Sequence, residues 1–547
     1  MSRKRGAAAS PSVQISFLAV NQLITMKKLA LLAWALPALA FGQTSTLQQG
    51  FQTPPDAAKP RVWWHWMNGN ITKEGITKDL EWMKRVGIGG FQNFDASLFT
   101  PNVTPKKLVF MTPEWKDAFK HTTDLAEKLG LEMAIAGSPG WSVTGGPWVP
   151  AADAMKKYVW TETRVPGGQA FTGKLPQPRP VAGKFQNVPL PAEGGLTGPT
   201  GEVPDYYADA AVIAYRLPAS DKLMTSLNPK VSSSGGTFSV AELTDGDLGK
   251  TSLLPAMEVG QDMWIQFEFD IPQTFKALTI VGASSGGALA EFNGAPDNRT
   301  LRVSDDGVTF RDVAPIKGST VPQNTLAFPP VTARFFRIAF KTLPAPFNPF
   351  ASMFGGGNTP PAKPEGVQVA EIVLHTSDRM DQFEEKAGFS PWREHTKSYL
   401  QPNADAIPLT DVVDLTSKTA ADGSLNWTPP AGNWVIVRLG CSLTGRKNHP
   451  ASPEATGLEV DKPDKDAVAK YINTYLDMYK DATGGQMGAR GLQYMVLDSY
   501  EAGHMTWTKA MEEEFKKRRG YDITPWIPVL TGAIVQSAAE SDRFLWD

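Results

Sequence analysis

The apolar positions change period several times along the chain, and each change marks a part of it. Tyr494-Met-Val-Leu497 is a short unbroken apolar run with a β-branched valine, set behind Gly491. It is too short for a helix and predicts a buried strand of the parallel-sheet kind. Asp498 and Glu501 follow at its C-terminal end, where such strands deliver side chains to a cleft. Thr508 is expected to cap the next helix, which carries Met511 and Phe515 among its apolar positions, Arg518 and Arg519 in its last turn, and Gly520 as its stop. The same alternation opens the chain. Arg61-Val-Trp63-Trp64-His65-Trp66-Met67 reads as a strand, and Thr72 then caps a helix with Ile76, Leu80, Met83 and Val86 on one face. Ile88 to Asp95 gives a second strand. Thr112-Pro113 opens a helix with Trp115, Phe119, Thr122, Ala126 and Leu129 on one stripe, and Gly130 closes it. Glu132–Ala136 is a third strand and runs into a glycine-rich loop that holds Trp141. Strands and helices in alternation, on short links, open a parallel α/β fold whose strand ends would carry His65, Asn68, Asn93, Asp95 and Trp141 on one rim.

From about Tyr158 the helical period stops. Residues 161–204 are rich in proline and glycine and predict an irregular connection. Over 205–376 the pattern turns to short strands: Ile265, Phe267, Phe269 and Ile271 alternate with Gln266, Glu268 and Asp270, the period of a half-buried strand. Further runs at 278–281, 301–303, 335–338 and 371–374 predict an inserted antiparallel β-sandwich. The order Thr244-Asp-Gly246, Trp264-Ile-Gln-Phe267, Val303-Ser-Asp-Asp-Gly307, Arg334-Phe-Phe-Arg337 and Ala370-Glu-Ile372 resembles the discoidin-type, galactose-binding-like sandwiches. That resemblance speaks to fold and leaves open whether the insert binds sugar or serves as a structural prop. Asp464 starts an amphipathic helix (Val468, Ile472, Tyr475, Tyr479) that returns the chain to the strand before Asp498. Residues 43–160 and 377–547 are therefore assigned to the α/β unit, with five strands counted in it, and 205–376 to the insert.

Composition narrows the classes. The 547 residues are 41% hydrophobic and 20% charged, ample for a core, and a net charge of −2 gives no electrostatic case for nucleic acid or an anionic membrane. No protein partner is indicated. The single cysteine, Cys441, excludes an internal disulfide and lies in an apolar strand-like run, which argues against a nucleophile. Tryptophans number 16, several beside Asp, Asn or His, a pairing suited to sugar rings with apolar faces and hydroxyl edges. Residues 26–42, with Lys27-Lys28, an apolar stretch and small residues at Ala40 and Gly42, read as a secretory signal peptide, too short for a membrane span. Residues 1–25 read as an over-extended start, and an exported protein, periplasmic or secreted, is expected.

Three blocks together carry a family resemblance: Pro60-Arg-Val-Trp-Trp-His-Trp-Met-Asn-Gly69, Thr456-Gly-Leu-Glu-Val-Asp-Lys462, and Leu497-Asp-Ser-Tyr-Glu501 with Trp507-Thr508 and Phe515 to Asp522. They resemble glycoside hydrolase family 106, the exported bacterial α-L-rhamnosidases. The resemblance implies a (β/α)8-type barrel with β-sandwich accessories, inversion at the anomeric carbon, two catalytic glutamates and dependence on calcium. It places the general acid on Glu501. The second glutamate of the family lies downstream of this block, and the chain stops within Arg543-Phe-Leu-Trp-Asp547, so the barrel is expected to be incomplete and the base to lie beyond residue 547.

Inverting hydrolysis needs a protonated carboxyl at the leaving oxygen and a carboxylate roughly 6.5–9.5 Å away to activate water. Asp498, cast as the orienting partner, and a partly apolar wall of Tyr500 and Trp507 are expected to raise the pKa of Glu501. Read without the family, the same two acids could be a helix cap and a surface charge. Trp64, His65, Asn68, Asp95, Trp141 and Trp507 are expected to contact sugar, although a buried, satisfied His65 fits equally. Glu459 and Asp461 could line the cleft or bind a cation, and Lys462 beside them also permits a plain salt-bridged loop; the calcium ligands stay unassigned. The leading reading is an α-L-rhamnosidase acting on polysaccharide or rhamnosides. A glycosidase of another specificity, or a carbohydrate-binding protein without turnover, stands beside it.

Overall fold

A computed structural model describes residues 47–98, 100–190, 202–283, 298–344, 366–390, 399 and 402–547. The expected over-extended start and the signal peptide lie outside them. Thr72 and Thr112 accept the N–H of Gly75 and Trp115, and so begin two helices where the sequence placed them. These are α1 (Lys73–Arg85) and α2 (Pro113–Leu129), and Gly130 ends α2 in the left-handed conformation at φ 63°. They alternate with β1 (Arg61–Met67), β2 (Gly90–Ala96) and β3 (Glu132–Ala136).

Three further strands follow: β4 (Lys156–Pro166), β5 (Phe171–Lys174) and β6 (Ala208–Arg216). The insert holds β7 (Lys230–Ser233), β8 (Ser252–Pro255), β9 (Asp262–Ala283), β10 (Arg299–Ser304), β11 (Arg311–Ile316), β12 (Gln323–Lys341) and β13 (Gly366–His375). After β14 (Val412–Asp414), β15 (Ser424–Trp427) and β16 (Asn433–Leu443) come α3 (Lys465–Ala482), β17 (Leu492–Val496), α4 (Met511–Arg519) and α5 (Ala538–Trp546).

The parallel sheet has the order β1-β2-β3-β17, four strands among the described residues where five were expected. One face is sealed by α1, α2 and α3: Ile76, Leu80, Trp115, Phe119, Tyr475 and Tyr479 share a core with Phe91, Met133, Ile135 and Leu492. Among the described residues β17 pairs only with β3, so its expected burial is not realised. Tyr494 is 54% and Leu497 55% exposed.

An antiparallel sheet, β14-β6-β16-β4, lies beside it. This takes β14, β16 and the start of β4 out of the α/β unit, the rest of β4 out of the irregular connection and β6 out of the insert; β16 at its centre is apolar on both faces. Val435, Val437 and Leu439 enter a core with Trp507 and Phe544, while Trp434 and Ile436 enter another with Val165 and Leu415. Thr508 is not a helix cap: α4 follows Ala510 without a side-chain cap, and the Thr508 hydroxyl donates to Asp461 Oδ2 at 3.0 Å.

The insert is a seven-stranded antiparallel sheet. β12 runs along β9 with register shifts between Ala327 and Val331 and between Ala333 and Phe335, while β7 joins the first half of β9 and β13 the second. Ile265, Phe267 and Phe269 point into the core as the alternation predicts. Ile271 is 67% exposed, since it lies where β9 passes from one pairing to the next.

Candidate active site

The site is built where two distant loops lock together. Gly140 at φ 85° lets the loop after β3 lie against His449; a Cβ there would stand 2.6 Å from the His449 carbonyl carbon and oxygen. The Trp141 N–H donates to the His449 carbonyl at 2.8 Å, and the His449 N–H donates to Ser142 Oγ at 3.0 Å. Asn448 ties the same loop down, donating to the carbonyls of Pro139 at 2.9 Å and Ala455 at 3.0 Å. The Trp141 indole N–H then donates to His65 Nε2 at 3.0 Å, and the His65 ring stacks on Phe94 with centroids 5.2 Å apart. Burial holds the His65 imidazole below its usual pKa, in keeping with an Nε2 that accepts.

Glu501 stands after the C-terminal end of β17 with its side chain 42% exposed. Ser499 Oγ donates to its Oε1 at 2.6 Å, and His449 Nε2 lies 3.8 Å from its Oε2. The other imidazole nitrogen, Nδ1, is 3.1 Å from the Lys447 carbonyl, which fixes the ring and puts the proton of the neutral form on Nδ1. The chain thus runs Glu501–His449–Trp141–His65–Phe94, from the last parallel strand to the first two. Gly503 packs on the Arg446 guanidinium, and Lys462 Nζ lies over the Tyr500 ring at 5.6 Å.

Several expected site residues stand elsewhere. Asp498 is exposed and makes no hydrogen bond or ion pair among the described residues, so Ser499 and His449 hold the place given to it. Tyr500 and Trp507 do not form the wall expected around Glu501: Tyr500 is 53% exposed, and Trp507 is buried in the core against β16. Trp64 and Asp95 point from their strands into the helix layer. The Trp64 indole donates to Asp79 of α1 at 3.0 Å, and Asp95 accepts from the Trp115 indole of α2 at 2.9 Å. Burial raises Asp95 to a pKa of about 7. Asn68, in the left-handed region at φ 52°, organises its own loop by donating to the Thr100 carbonyl at 2.7 Å. His65 and Trp141 are brought together, as expected of a rim. Trp63, two residues before His65 on the same face and 51% exposed, was passed over although strict alternation from His65 points to it. His449 carried no local signal, because only the closure of its loop onto Trp141 brings it to Glu501.

Glu459 and Asp461 are fully buried struts. Glu459 Oε2 accepts from Thr144 Oγ1 and Lys462 Nζ, both at 2.6 Å, and Asp461 Oδ2 lies 3.4 Å from the buried Lys156 Nζ. With a lysine meeting each carboxylate, the salt-bridged loop is the form realised, while the second oxygen of each, Glu459 Oε1 and Asp461 Oδ1, is buried without a hydrogen-bond partner among the described residues. Among the described residues no group of three or more His, Cys, Asp or Glu is placed to hold a metal ion. Cys441 is buried with its thiol pushed up to about 11, which disqualifies it as a nucleophile.

Comparison with known proteins adds three findings. The family model of glycoside hydrolase family 106, described as alpha-L-rhamnosidase, matches residues 52–547. The solved structure of a rhamnosidase from Novosphingobium sp. PP1Y is 40% identical with a TM-score of 0.77, and the match covers 91% of this chain and 44% of that one. A protein of Formosa agariphila named "Putative beta-glucuronidase" is 26% identical over 515 residues, 93% of this chain and 29% of that protein. The chain thus spans less than half the length of both.

Proposed function

Because this chain belongs to glycoside hydrolase family 106, we propose that the whole protein removes terminal α-L-rhamnosyl residues from polysaccharide or rhamnosides, with inversion, outside the cytoplasm. That it is a glycoside hydrolase of the α-L-rhamnosidase type follows from the family and from the rhamnosidase it resembles. The observation that carries the finer reading is the exposed Glu501 carboxylate, linked through His449 and Trp141 to His65 at the opposite side of the parallel sheet.

In this reading Glu501 protonates the leaving glycosidic oxygen, and its Ser499 bond holds the carboxyl in one orientation. Trp63 and Trp141 offer apolar faces to the sugar ring, with the buried Phe94 packed beneath Trp63 and His65. The base is a second carboxylate across the sugar, to which no described residue is assigned. A (β/α)8 barrel to which the four parallel strands contribute, and a galactose-binding-like fold for the insert, belong to the same proposal, as does dependence on calcium.

The test is release of p-nitrophenol from its α-L-rhamnoside by the full-length protein, with the anomer of the released sugar read by NMR. Rhamnose released first as the opposite anomer is expected; retention would overturn inversion. Release from the β-glucuronide alone would move the specificity toward that in the name of the Formosa relative. Sugar binding without turnover on either would make the protein a carbohydrate binder. Glu501→Gln should lose most activity on poor leaving groups and keep rhamnose binding; unchanged turnover would remove Glu501 from the mechanism.

A further inference from the structure

We propose that His449 is a positioning residue that shares one proton with Glu501, so that the pair still carries that proton near neutral pH. The inference rests on the reading of Glu501 as general acid and adds to it a second group, contributed by a loop some fifty positions earlier in the chain.

The geometry is specific. His449 is 22% exposed at the side chain, its ring is oriented by the Lys447 carbonyl at Nδ1, and its backbone is pinned on both sides by Trp141 and Ser142. Only Nε2 is left to face the carboxylate, at 3.8 Å from Oε2. That is ion-pair range, and catalytic contacts of this kind commonly tighten when substrate binds. Oε1 is engaged by Ser499, so the two carboxyl oxygens have different partners.

Other titratable and charged groups surround the pair. On the loop of Glu501 stand Asp498, which is exposed, Tyr500 and His504. Arg446, from the loop of His449, packs on Gly503, while the Lys447 amine turns to the Glu202 carbonyl at 3.3 Å. From the core side Lys462 covers Tyr500 and is tied to Glu459. His65, beyond Trp141, has its imidazole pKa lowered by burial. An exposed carboxyl alone loses its proton near the ordinary glutamate range, about 4.3, well below neutrality. Beside an imidazole the last proton leaves the pair only in or above the imidazole range, about 6.5.

The proton balance closes. The one shared proton passes from Nε2 of His449 to the Glu501 carboxylate and from there to the glycosidic oxygen as the bond to the anomeric carbon breaks, which leaves a neutral imidazole and a carboxylate. Water adding at the anomeric carbon releases one proton, which returns through solvent to His449.

The test uses the full-length protein and the variants His449→Gln, Glu501→Gln and His504→Gln. On an α-L-rhamnoside with a poor leaving group, the basic limb of kcat/KM should move to lower pH by about one unit or more in His449→Gln. Hydrolysis of the 2,4-dinitrophenyl rhamnoside, which needs little protonation, should stay within about threefold. His504→Gln should leave the limb in place; a limb that moves with His504 instead overturns the assignment. An unmoved limb in His449→Gln, with Glu501→Gln still impaired, overturns the proposal while sparing the acid. If Glu501→Gln hydrolyses normally, the parent reading itself fails. Should His449→Gln not fold, imidazole NMR of the unaltered protein decides: the His449 pKa should fall in Glu501→Gln by about half a unit or more, and an identical titration in the two proteins would overturn the pairing.

Discussion

Asp95 was expected at the sugar and is found behind it. Its carboxyl holds a proton to about pH 7 in the folded protein, against an ordinary value of 3.8, because burial opposes the charge. The folded state therefore binds more protons than the unfolded one between these values, and stability declines as pH rises from about 4 through about 7. Asp95→Asn keeps an oxygen for the Trp115 indole without the charge. It should be more stable than the unaltered protein at pH 8, by roughly 1–3 kcal/mol, with the gain fading toward pH 4. Urea unfolding at the two pH values checks this, and an equal difference at both would refute it. Gly140→Ala meets both a positive φ and the His449 carbonyl. Its expected outcome is an activity loss of about tenfold or more with the fold retained, since displacements near 1 Å at a catalytic group carry such factors. Circular dichroism and kinetics together measure it. At this scale the residue types of the site were legible, but the side of the sheet was not. Trp63 with His65 and Trp64 with Trp66 face opposite ways, and a run of four aromatic residues does not reveal which pair meets helices.

At the scale of elements the sequence read well wherever the determinants are local. Thr72, Thr112 and Gly130 mark helix ends in both sequence and structure, and Thr112→Ala should cost about 1 kcal/mol through the lost cap, readable as a lowered Tm. Thr508 shows the opposite case. Its hydroxyl serves Asp461 in the core, so Thr508→Ala should leave the helix content of α4 unchanged while lowering overall stability by roughly 1 kcal/mol. A threonine ahead of a helical pattern has two uses, and a buried acceptor some fifty positions away decided between them.

At the scale of the molecule, buried charges fasten sheet to sheet. Lys156 on β4 meets Asp461, which itself precedes α3 of the parallel unit. Asp461→Asn leaves that lysine buried without a counter-charge and should cost about 3–5 kcal/mol, most of it recovered in the double variant with Lys156→Met. Equal losses in single and double variants, measured by denaturant unfolding, would show that the pair contributes by packing alone. The insert is joined in the same way: Lys276 on β9 reaches Asp405, which also accepts from Ser220 and the Asp378 N–H.

The sequence by itself determined the alternation of strand and helix, the helix ends at Thr72, Thr112 and Gly130, the antiparallel character of the insert and the three blocks that mark the family. Each depends on neighbours within a few turns of the same chain. Tertiary structure alone decided that 208–216 pairs with 433–443, that Asp95 and Trp64 face helices, and that His449 reaches Glu501. Those outcomes turn on which surface meets which across hundreds of residues, and the physics that settles them is shared burial and hydrogen bonding between segments, which no single segment carries.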